Sequence, residues 1–220
     1  MTDLQRLYAL RFEETGLKKR QRVWQVLCRE FFDALIEPRS TVLDLACGYG
    51  EFINAVACGR KLAADINPDA AAHLAAGIAF YQTKASDLGE IAEESVDAVF
   101  ASNILEHLAS KEECSKAFAA VWRILARNGT FILLGPNIKY AYREYWDVYD
   151  HVLPLSDVSV SEGLRQQGFT IERVIPRFLP FTMNNSLPSF NILIRIYLRF
   201  PPAWRLFGKQ FLVVARKSKV

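Results

Sequence analysis

The sequence is poor in cysteine, in histidine and in long uncharged apolar runs. It contains four cysteines and three histidines in 220 residues. Cys28, Cys47, Cys58 and Cys114 show no C-x-x-C spacing and no partnered histidines, so we expect reduced thiols and no metal site. No apolar run reaches the roughly 18–20 uncharged residues that a membrane-spanning helix needs. The first residues also lack the charged-then-apolar pattern of a signal peptide, and together these absences predict a cytoplasmic protein.

Acidic residues are absent from the last part of the chain. After Glu172 there are nine Lys and Arg residues and no Asp or Glu, while the preceding residues carry the other 18 of the 27 basic side chains and all 24 acidic ones. The part up to Glu172 therefore has a formal charge of −6 and the tail a charge of +9. Because the basic residues of the tail alternate with aliphatic ones, we expect no nucleic-acid partner.

Strand-like and helix-like patterns alternate along the chain. This alternation predicts an α/β fold, with a mostly parallel sheet that carries helices on both faces. The length suits a single domain spanning residues 1–220. Strands are predicted at 41–46, 61–65, 78–83, 96–101, 130–135, 170–175 and 210–215. Helices are predicted at 17–36, 50–58, 69–76, 111–126 and 157–167.

Residues 42–52, VLDLACGYGEF, carry the most specific pattern of the chain. A buried strand breaks into a tight loop, and the loop enters a helix. Gly48 and Gly50 allow a sharp turn and a close approach of the backbone to a ligand. Asp44 lies inside the apolar run, where a carboxylate is costly without a donor or a positive partner. About 20 residues later a second apolar segment ends in Asp65, where a Rossmann-like fold binds a ribose.

Two families of nucleotide-binding loop can be compared with this pattern. The dehydrogenase fingerprint G-x-G-x-x-G, begun at Gly48, would need a third glycine at Ile53 and does not explain Asp44. The run Asp44-x-Ala46-x-Gly48-x-Gly50 instead resembles the glycine motif of the class I S-adenosylmethionine-dependent methyltransferases, with alanine for the first glycine. Two later segments resemble the same family: residues 96–108, VDAVFASNILEHL, and residues 121–134, VWRILARNGTFILL.

The resemblance implies a seven-stranded, mostly parallel Rossmann-like methyltransferase sheet whose last strand inserts antiparallel beside the fifth. It implies S-adenosylmethionine as cofactor, S-adenosylhomocysteine as product, and binding at the carboxyl ends of the strands. The implied cofactor contacts are Asp44, Ala46, Cys47, Gly48, Gly50, Asp65, Ile66, Ser86, Asp87, Leu88, Ser102 and Asn103. Asp65 would accept hydrogen bonds from the ribose hydroxyls, Ile66 would contact the adenine, and Asp87 would meet the adenine amino group. The alternatives are a helix-capping role for Asp65 and a water-facing loop position for Asp87.

Histidine is the side chain best suited by its pKa to take a proton from a hydroxyl acceptor. His107 lies just past the fourth strand. His151 lies in a loop rich in aromatic and acidic residues after the fifth strand, where Asp150 would orient it. Both are candidates for a general base, and structural packing of the loops is the alternative for each.

Two segments lie outside the core pattern. Residues 1–37 are predicted to form a helical lid over the cofactor, with Tyr8, Arg11 and Phe12 as contacts. Residues 179–209 form an apolar, basic insert between the last two strands. Residues 190–207 have the composition of a helix at a membrane interface. A cap on the acceptor pocket and a dimer contact are the alternatives for this insert.

These observations predict an S-adenosylmethionine-dependent methyltransferase that acts on an oxygen or nitrogen of a small-molecule or lipid-linked acceptor. A glycan or another envelope precursor would suit a membrane-peripheral enzyme. Three alternatives remain: a catalytically silent cofactor-binding domain, an NAD(P)-dependent oxidoreductase, and a membrane-associated adaptor.

Overall fold

A single seven-stranded sheet organises the chain. The computed structural model describes residues 14–181 and 191–218. The strands are β1 (Thr41–Leu45), β2 (Arg60–Asp65), β3 (Ala79–Gln82), β4 (Val96–Ser102), β5 (Leu125–Pro136), β6 (Phe169–Ile175) and β7 (Gln210–Lys217). The α-helices are α1 (Glu14–Glu30), α2 (Glu51–Ala55), α3 (Lys111–Ile124), α4 (Ile138–Ala141), α5 (Asp157–Gln166), α6 (Asn191–Arg199) and α7 (Pro201–Phe207). Four 3-10 turns lie at Phe32–Leu35, Pro68–His73, Leu105–His107 and Glu144–Asp147.

The strand order is β3-β2-β1-β4-β5-β7-β6. The first five strands are parallel, and β7 runs antiparallel to both β5 and β6. This confirms the predicted Rossmann-like sheet, including the antiparallel insertion of the last strand beside the fifth. The order reverses between β1 and β4, and open α/β sheets bind ligands in the crevice at the carboxyl ends of the strands beside such a reversal.

Alternate residues of the central strands pack on opposite faces of the sheet, as the period of two requires. Leu43, Val99 and Phe131 belong to the hydrophobic cluster that includes α3 and α5. Their neighbours Val42 and Phe100 belong to the cluster that includes α1, α2 and α7. The near-continuous apolar character of β1 and β4 follows from this burial on both faces.

Helix α1 is part of the second cluster. Val23, Trp24, Leu27 and Cys28 are buried on the sheet side, and Trp24 contacts the Phe100 ring edge-to-face with ring centroids 5.7 Å apart. The described portion of the predicted lid is therefore a core layer. The predicted cofactor contacts Tyr8, Arg11 and Phe12 lie outside the described residues.

Several predicted elements differ from the structure in type or bounds. The predicted helix 17–36 is α1 followed by the 3-10 turn Phe32–Leu35, the predicted helix 50–58 is the shorter α2, and β5 begins at Leu125 instead of residue 130. The predicted helix 69–76 is a 3-10 turn, Pro68–His73, because the Asn54 side chain donates to the His73 carbonyl and accepts from the Ala75 N–H. Those backbone groups are then occupied and cannot continue a helix. Helix α3 ends at Ile124, short of the predicted Ala126, because β5 begins at Leu125, opposite Val96.

Helices α6 and α7 occupy the predicted insert. Leu198 and Trp204 are buried in the second hydrophobic cluster, so the insert is attached to the core. On α6, Arg195 and Arg199 both pair with Glu30 at the end of α1, at 3.1 and 2.7 Å. Within the part of the chain that the structure describes, no helix is long and apolar enough to cross a bilayer.

Candidate functional site

The loop between β1 and α2 turns through three residues with left-handed backbone conformation. Ala46, Gly48 and Gly50 have φ values of 57°, 55° and 72°. A Cβ on Gly50 would lie 2.5 Å from Cδ2 of Leu74, so the leucine side chain would have to shift, and the left-handed φ itself favours glycine. Ala46, which replaces the family's first glycine, adopts the same conformation with a Cβ present, at a cost of about 1–2 kcal/mol.

Asp65 ends β2 and holds this loop in place. Its Oδ2 accepts a hydrogen bond of 2.9 Å from the Gly48 N–H, and its Oδ1 accepts one of 2.8 Å from the Asn67 N–H. Asn67 is the N-cap residue of the turn Pro68–His73, so Asp65 also anchors the start of that turn. The Asp65 side chain is 2% exposed. Its hydrogen bond to Gly48 fixes the position of the glycine loop relative to the end of β2. The ribose role of Asp65 stays a prediction.

Asp44 lies beneath the loop and is 3% exposed. Its Oδ2 accepts a hydrogen bond of 3.3 Å from the Ile53 N–H, near the start of α2. Burial raises the pKa of the Asp44 carboxyl well above its usual range, and the neighbouring Glu51 and Asp65 raise it further. Burial likewise raises the pKa of the Cys47 thiol in the same loop. Asp44 therefore stabilises the backbone where the loop enters α2.

The other predicted cofactor residues differ in accessibility. Ile66 is 45% exposed just past the end of β2, which suits contact with a flat ring. Ser86 donates to the Glu113 carboxylate at 3.3 Å, while Asp87 is exposed and accepts from the Gly89 N–H. Leu88 is 2% exposed in the core, so only its backbone is suited to a cofactor contact. These roles stay predictions.

Ser102 and Asn103 close β4 at the same edge of the sheet. The Asn103 side-chain amide donates to Ser102 Oγ at 3.1 Å, and the Asn103 N–H donates to the Leu134 carbonyl at 2.9 Å. Asn103 has a φ of 53°. This left-handed residue turns the chain sharply from β4 into the turn Leu105–His107, which carries the next polar groups.

The two predicted catalytic histidines lie next to each other, although they are 44 positions apart in the chain. The ring centroids of His107 and His151 are 4.9 Å apart. Nδ1 of His107 is 3.1 Å from Oδ2 of Asp150, and Nδ1 of His151 is 3.0 Å from the Tyr145 carbonyl oxygen. Asp150 is therefore placed to orient His107, and its predicted role in orienting His151 stays a prediction.

Two further residues of this site, Glu106 and Tyr145, were not among the predicted catalytic or cofactor-binding residues. Glu106 is 3% exposed, and a carboxylate oxygen of Glu106 and one ring nitrogen from each histidine all lie within 4.8 Å of one another. Tyr145 is fully buried, and its ring packs at a tilt of 50° against His151, with ring centroids 4.6 Å apart. The Glu-His pair after β4 was a visible signal for Glu106. Tyr145 had no distinguishing signal among the aromatics of its loop.

Comparison with known proteins agrees with this geometry. Residues 43–133 match the family model described as a methyltransferase domain. An S-adenosylmethionine-dependent methyltransferase from Archaeoglobus fulgidus is 21% identical, with a TM-score of 0.68 over 96% of this chain and all of that one. One from Mesorhizobium loti is 19% identical, with a TM-score of 0.60 over 83% of this chain and 94% of that one. The [4+2]-cyclase SpnF is 14% identical, with a TM-score of 0.61 over 91% of this chain and 81% of that one. No curated protein sequence matches the chain.

The chain carries a class I S-adenosylmethionine-dependent methyltransferase domain with a Rossmann-like fold. Its cofactor is S-adenosylmethionine and its product S-adenosylhomocysteine. The glycine loop with Asp65 fits this cofactor, because Gly48 and Gly50 lack a Cβ and allow a close approach of the backbone to a ligand, and a carboxylate suits ribose hydroxyls. The similarity to a cyclase shows that this fold also supports other reactions, so the acceptor must be argued from the site itself.

Proposed function

We propose that this methyltransferase transfers the methyl group to a hydroxyl oxygen of a small-molecule acceptor held beside Glu106, His107 and His151. The acceptor oxygen attacks the methyl carbon in line with the carbon–sulfur bond. That bond breaks, its electron pair stays on sulfur, and the sulfonium becomes the thioether of S-adenosylhomocysteine. The hydroxyl proton leaves to a basic group of the protein or to water.

Cofactor binding in this proposal uses the crevice beside β1, β2 and β4. The glycine loop borders the cofactor, Ile66 covers the adenine, and Asp65 accepts the ribose hydroxyls. An ionised carboxylate has about four acceptor positions, and the Gly48 and Asn67 N–H groups occupy two of them.

The observation that carries the hydroxyl assignment is the polar cluster at the carboxyl end of β4. A buried carboxylate and two imidazoles are costly in a protein interior unless they face a polar ligand or one another. Asp150 at 3.1 Å stabilises positive charge on His107 if this ring receives a proton. Such a cluster is suited to an acceptor that must lose a proton, as a hydroxyl must.

The test is formation of S-adenosylhomocysteine with a panel of hydroxyl and amine compounds. We expect turnover with hydroxyl acceptors, reduced by roughly 10²–10⁴-fold in His107→Asn and His151→Asn. Tyr149→Ala is the matched control, because Tyr149 lies in the same loop and is 99% exposed. Turnover with amines alone would contradict the hydroxyl assignment. Cofactor binding without any turnover would favour the catalytically silent alternative, and NAD(P) binding would favour the oxidoreductase.

We further propose that the α6–α7 insert contacts a membrane surface, which would suit a lipid-linked acceptor such as a glycan or other envelope precursor. Ile192, Leu193 and Ile196 on α6 are 52–58% exposed, and Leu206 and Phe207 on α7 are 69% and 58% exposed. Arginines lie between these apolar side chains, as in interfacial helices. Because Arg195 and Arg199 both pair with Glu30, we expect insertion of the apolar side chains to contribute more to membrane binding than electrostatic attraction.

Vesicle sedimentation tests this contact. We expect binding to vesicles that contain phosphatidylglycerol, and loss of binding in the double variant Leu206→Glu with Phe207→Glu. Val158→Glu is the matched control, because Val158 is 58% exposed on α5. Dimerisation in solution that the same double variant abolishes, without vesicle binding, would favour the dimer contact. Vesicle binding by a chain that binds no cofactor would favour the adaptor alternative.

A further inference from the structure

The cluster of Glu106, His107 and His151 has the composition of a metal site. Its three ligand atoms lie within 4.8 Å of one another, and Glu106 and His151 are 3% and 8% exposed. The members come from the turn after β4 and from the loop after β5. The Glu106 carbonyl accepts N–H groups of Val152 at 2.9 Å and Leu153 at 3.2 Å, so backbone hydrogen bonds hold the two segments together.

The hydrogen bonds of both imidazoles select the same tautomer. Nδ1 of His151 faces the Tyr145 carbonyl oxygen at 3.0 Å, and a carbonyl oxygen can only accept. Nδ1 of His107 faces two oxygens of Asp150, the carboxylate Oδ2 at 3.1 Å and the carbonyl at 3.2 Å. Both Nδ1 atoms therefore carry a proton, so Nε2 is the nitrogen that each ring could offer to a metal ion. Metal-ligating histidines are oriented in this way, by a carboxylate or a carbonyl on the second nitrogen.

A buried group beside the imidazoles also indicates a ligand. The Tyr145 hydroxyl is buried and finds no hydrogen-bond partner within the part of the chain that the structure describes. The Glu106 carboxylate lies at the end of β5, where Oε2 is 3.8 Å from the position a Cβ of Gly135 would take. An oxygen ligand on a cation bound beside this carboxylate would be a partner for the tyrosine hydroxyl.

We propose that Glu106, His107 and His151 form a binding site for a divalent transition-metal ion of the zinc type. Two imidazoles and one carboxylate suit Zn²⁺, Fe²⁺ or Co²⁺, whereas Mg²⁺ and Ca²⁺ require oxygen ligands. With bonds of about 2.1 Å, tetrahedral ligands lie about 3.4 Å apart, so the cluster would contract by roughly 1 Å on binding.

Three protein ligands leave at least one coordination position for an oxygen. A cation there would hold the acceptor hydroxyl and lower the pKa of its proton, so the histidines would be ligands and the proton could leave to water. This second part rests on the proposed function, whereas metal binding itself does not.

Titration with Co²⁺ tests the site without any acceptor. The full chain, free of an affinity tag and stripped with a chelator, is titrated with CoCl₂ while the visible absorption bands are recorded. We expect one bound equivalent in the wild type and at least about 10-fold weaker binding in Glu106→Gln and His151→Asn. His73→Asn is the matched control, because it removes the third histidine, whose ring stacks on Tyr49 instead. S-adenosylhomocysteine binding and the circular dichroism spectrum check that each variant is folded.

The outcomes separate the two proposals. Absent Co²⁺ binding by the wild type would overturn the metal site, and so would equal binding by folded Glu106→Gln and wild type. One-to-one binding that depends on both residues would support the site, even if no hydroxyl compound is methylated and the proposed function fails. If hydroxyl methylation is found but chelation leaves its rate unchanged, the metal role in the reaction is refuted.

Discussion

Replacing Asp65 by asparagine separates the two roles that this carboxylate can have. In the wild type, Oδ2 accepts from the Gly48 N–H at 2.9 Å and Oδ1 from the Asn67 N–H at 2.8 Å. The amide of asparagine keeps one acceptor oxygen but turns an NH₂ group towards the second N–H donor. One charge-assisted hydrogen bond is lost, and the acceptor of the other hydrogen bond is no longer charged. Both the glycine loop and the turn after β2 are affected.

The expected magnitudes follow from these contacts. A hydrogen bond to a charged group contributes about 1.5–3 kcal/mol, so the free energy of unfolding should fall by a similar amount. At about 2–4 °C per kcal/mol for a domain of this size, Tm should fall by roughly 3–12 °C. If Asp65 also accepts the ribose hydroxyls, the loss of its charge should raise the Kd for S-adenosylhomocysteine by about 10- to 150-fold.

Thermal unfolding and calorimetry with S-adenosylhomocysteine measure the two effects independently. Both should be carried out on wild type and on Asp65→Asn, below the Tm of the variant. Glu90→Gln is the control, because it removes the same charge from an exposed position. A lower Tm with unchanged affinity would show that Asp65 only anchors the loop and the turn. That result would refute the ribose assignment.

Three further substitutions test the loop and its support. Ala46→Gly should raise the free energy of unfolding by about 0.5–1 kcal/mol in chemical denaturation, because relief of the left-handed strain exceeds the entropic cost of glycine; a destabilised variant would contradict this. Gly50→Ala should lower it by about 1–3 kcal/mol, since φ is 72° and the new Cβ would clash with Leu74; unchanged stability would contradict the loop geometry. The pKa of Asp44 is raised on folding, so its charge costs stability as the pH rises from about 4 towards neutrality. Asp44→Asn should weaken this pH dependence in denaturation at several pH values, and an unaltered pH profile would contradict it.

The fold could be predicted because its determinants are local. Apolar runs at strand length, separated by helical patterns, located all seven strands to within a few residues, except for the start of β5. β5 begins earlier than predicted because Leu125 already pairs with Val96. The register then shifts before Thr130 pairs with Ala98, in the segment that contains Asn128, which has a φ of 60°. The pattern of residues 69–76 indicated an α-helix, but a side chain from α2, Asn54, terminates it as a 3-10 turn. Contacts from distant elements carry no signal in the local pattern.

The residues predicted to contact the cofactor lie mostly close together in the sequence, because Asp44 and the glycine loop are nearly consecutive and Asp65 ends the next strand. The acceptor side of the site depends on the tertiary structure. Asp150 lies against His107, since the loop after β5 folds back to the turn after β4 and brings together residues 43 positions apart. The sequence by itself therefore determined the sheet, the loop and the cofactor class. Only the tertiary structure decided which carboxylate, imidazoles and tyrosine share one buried site, because that grouping results from how two separate loops pack.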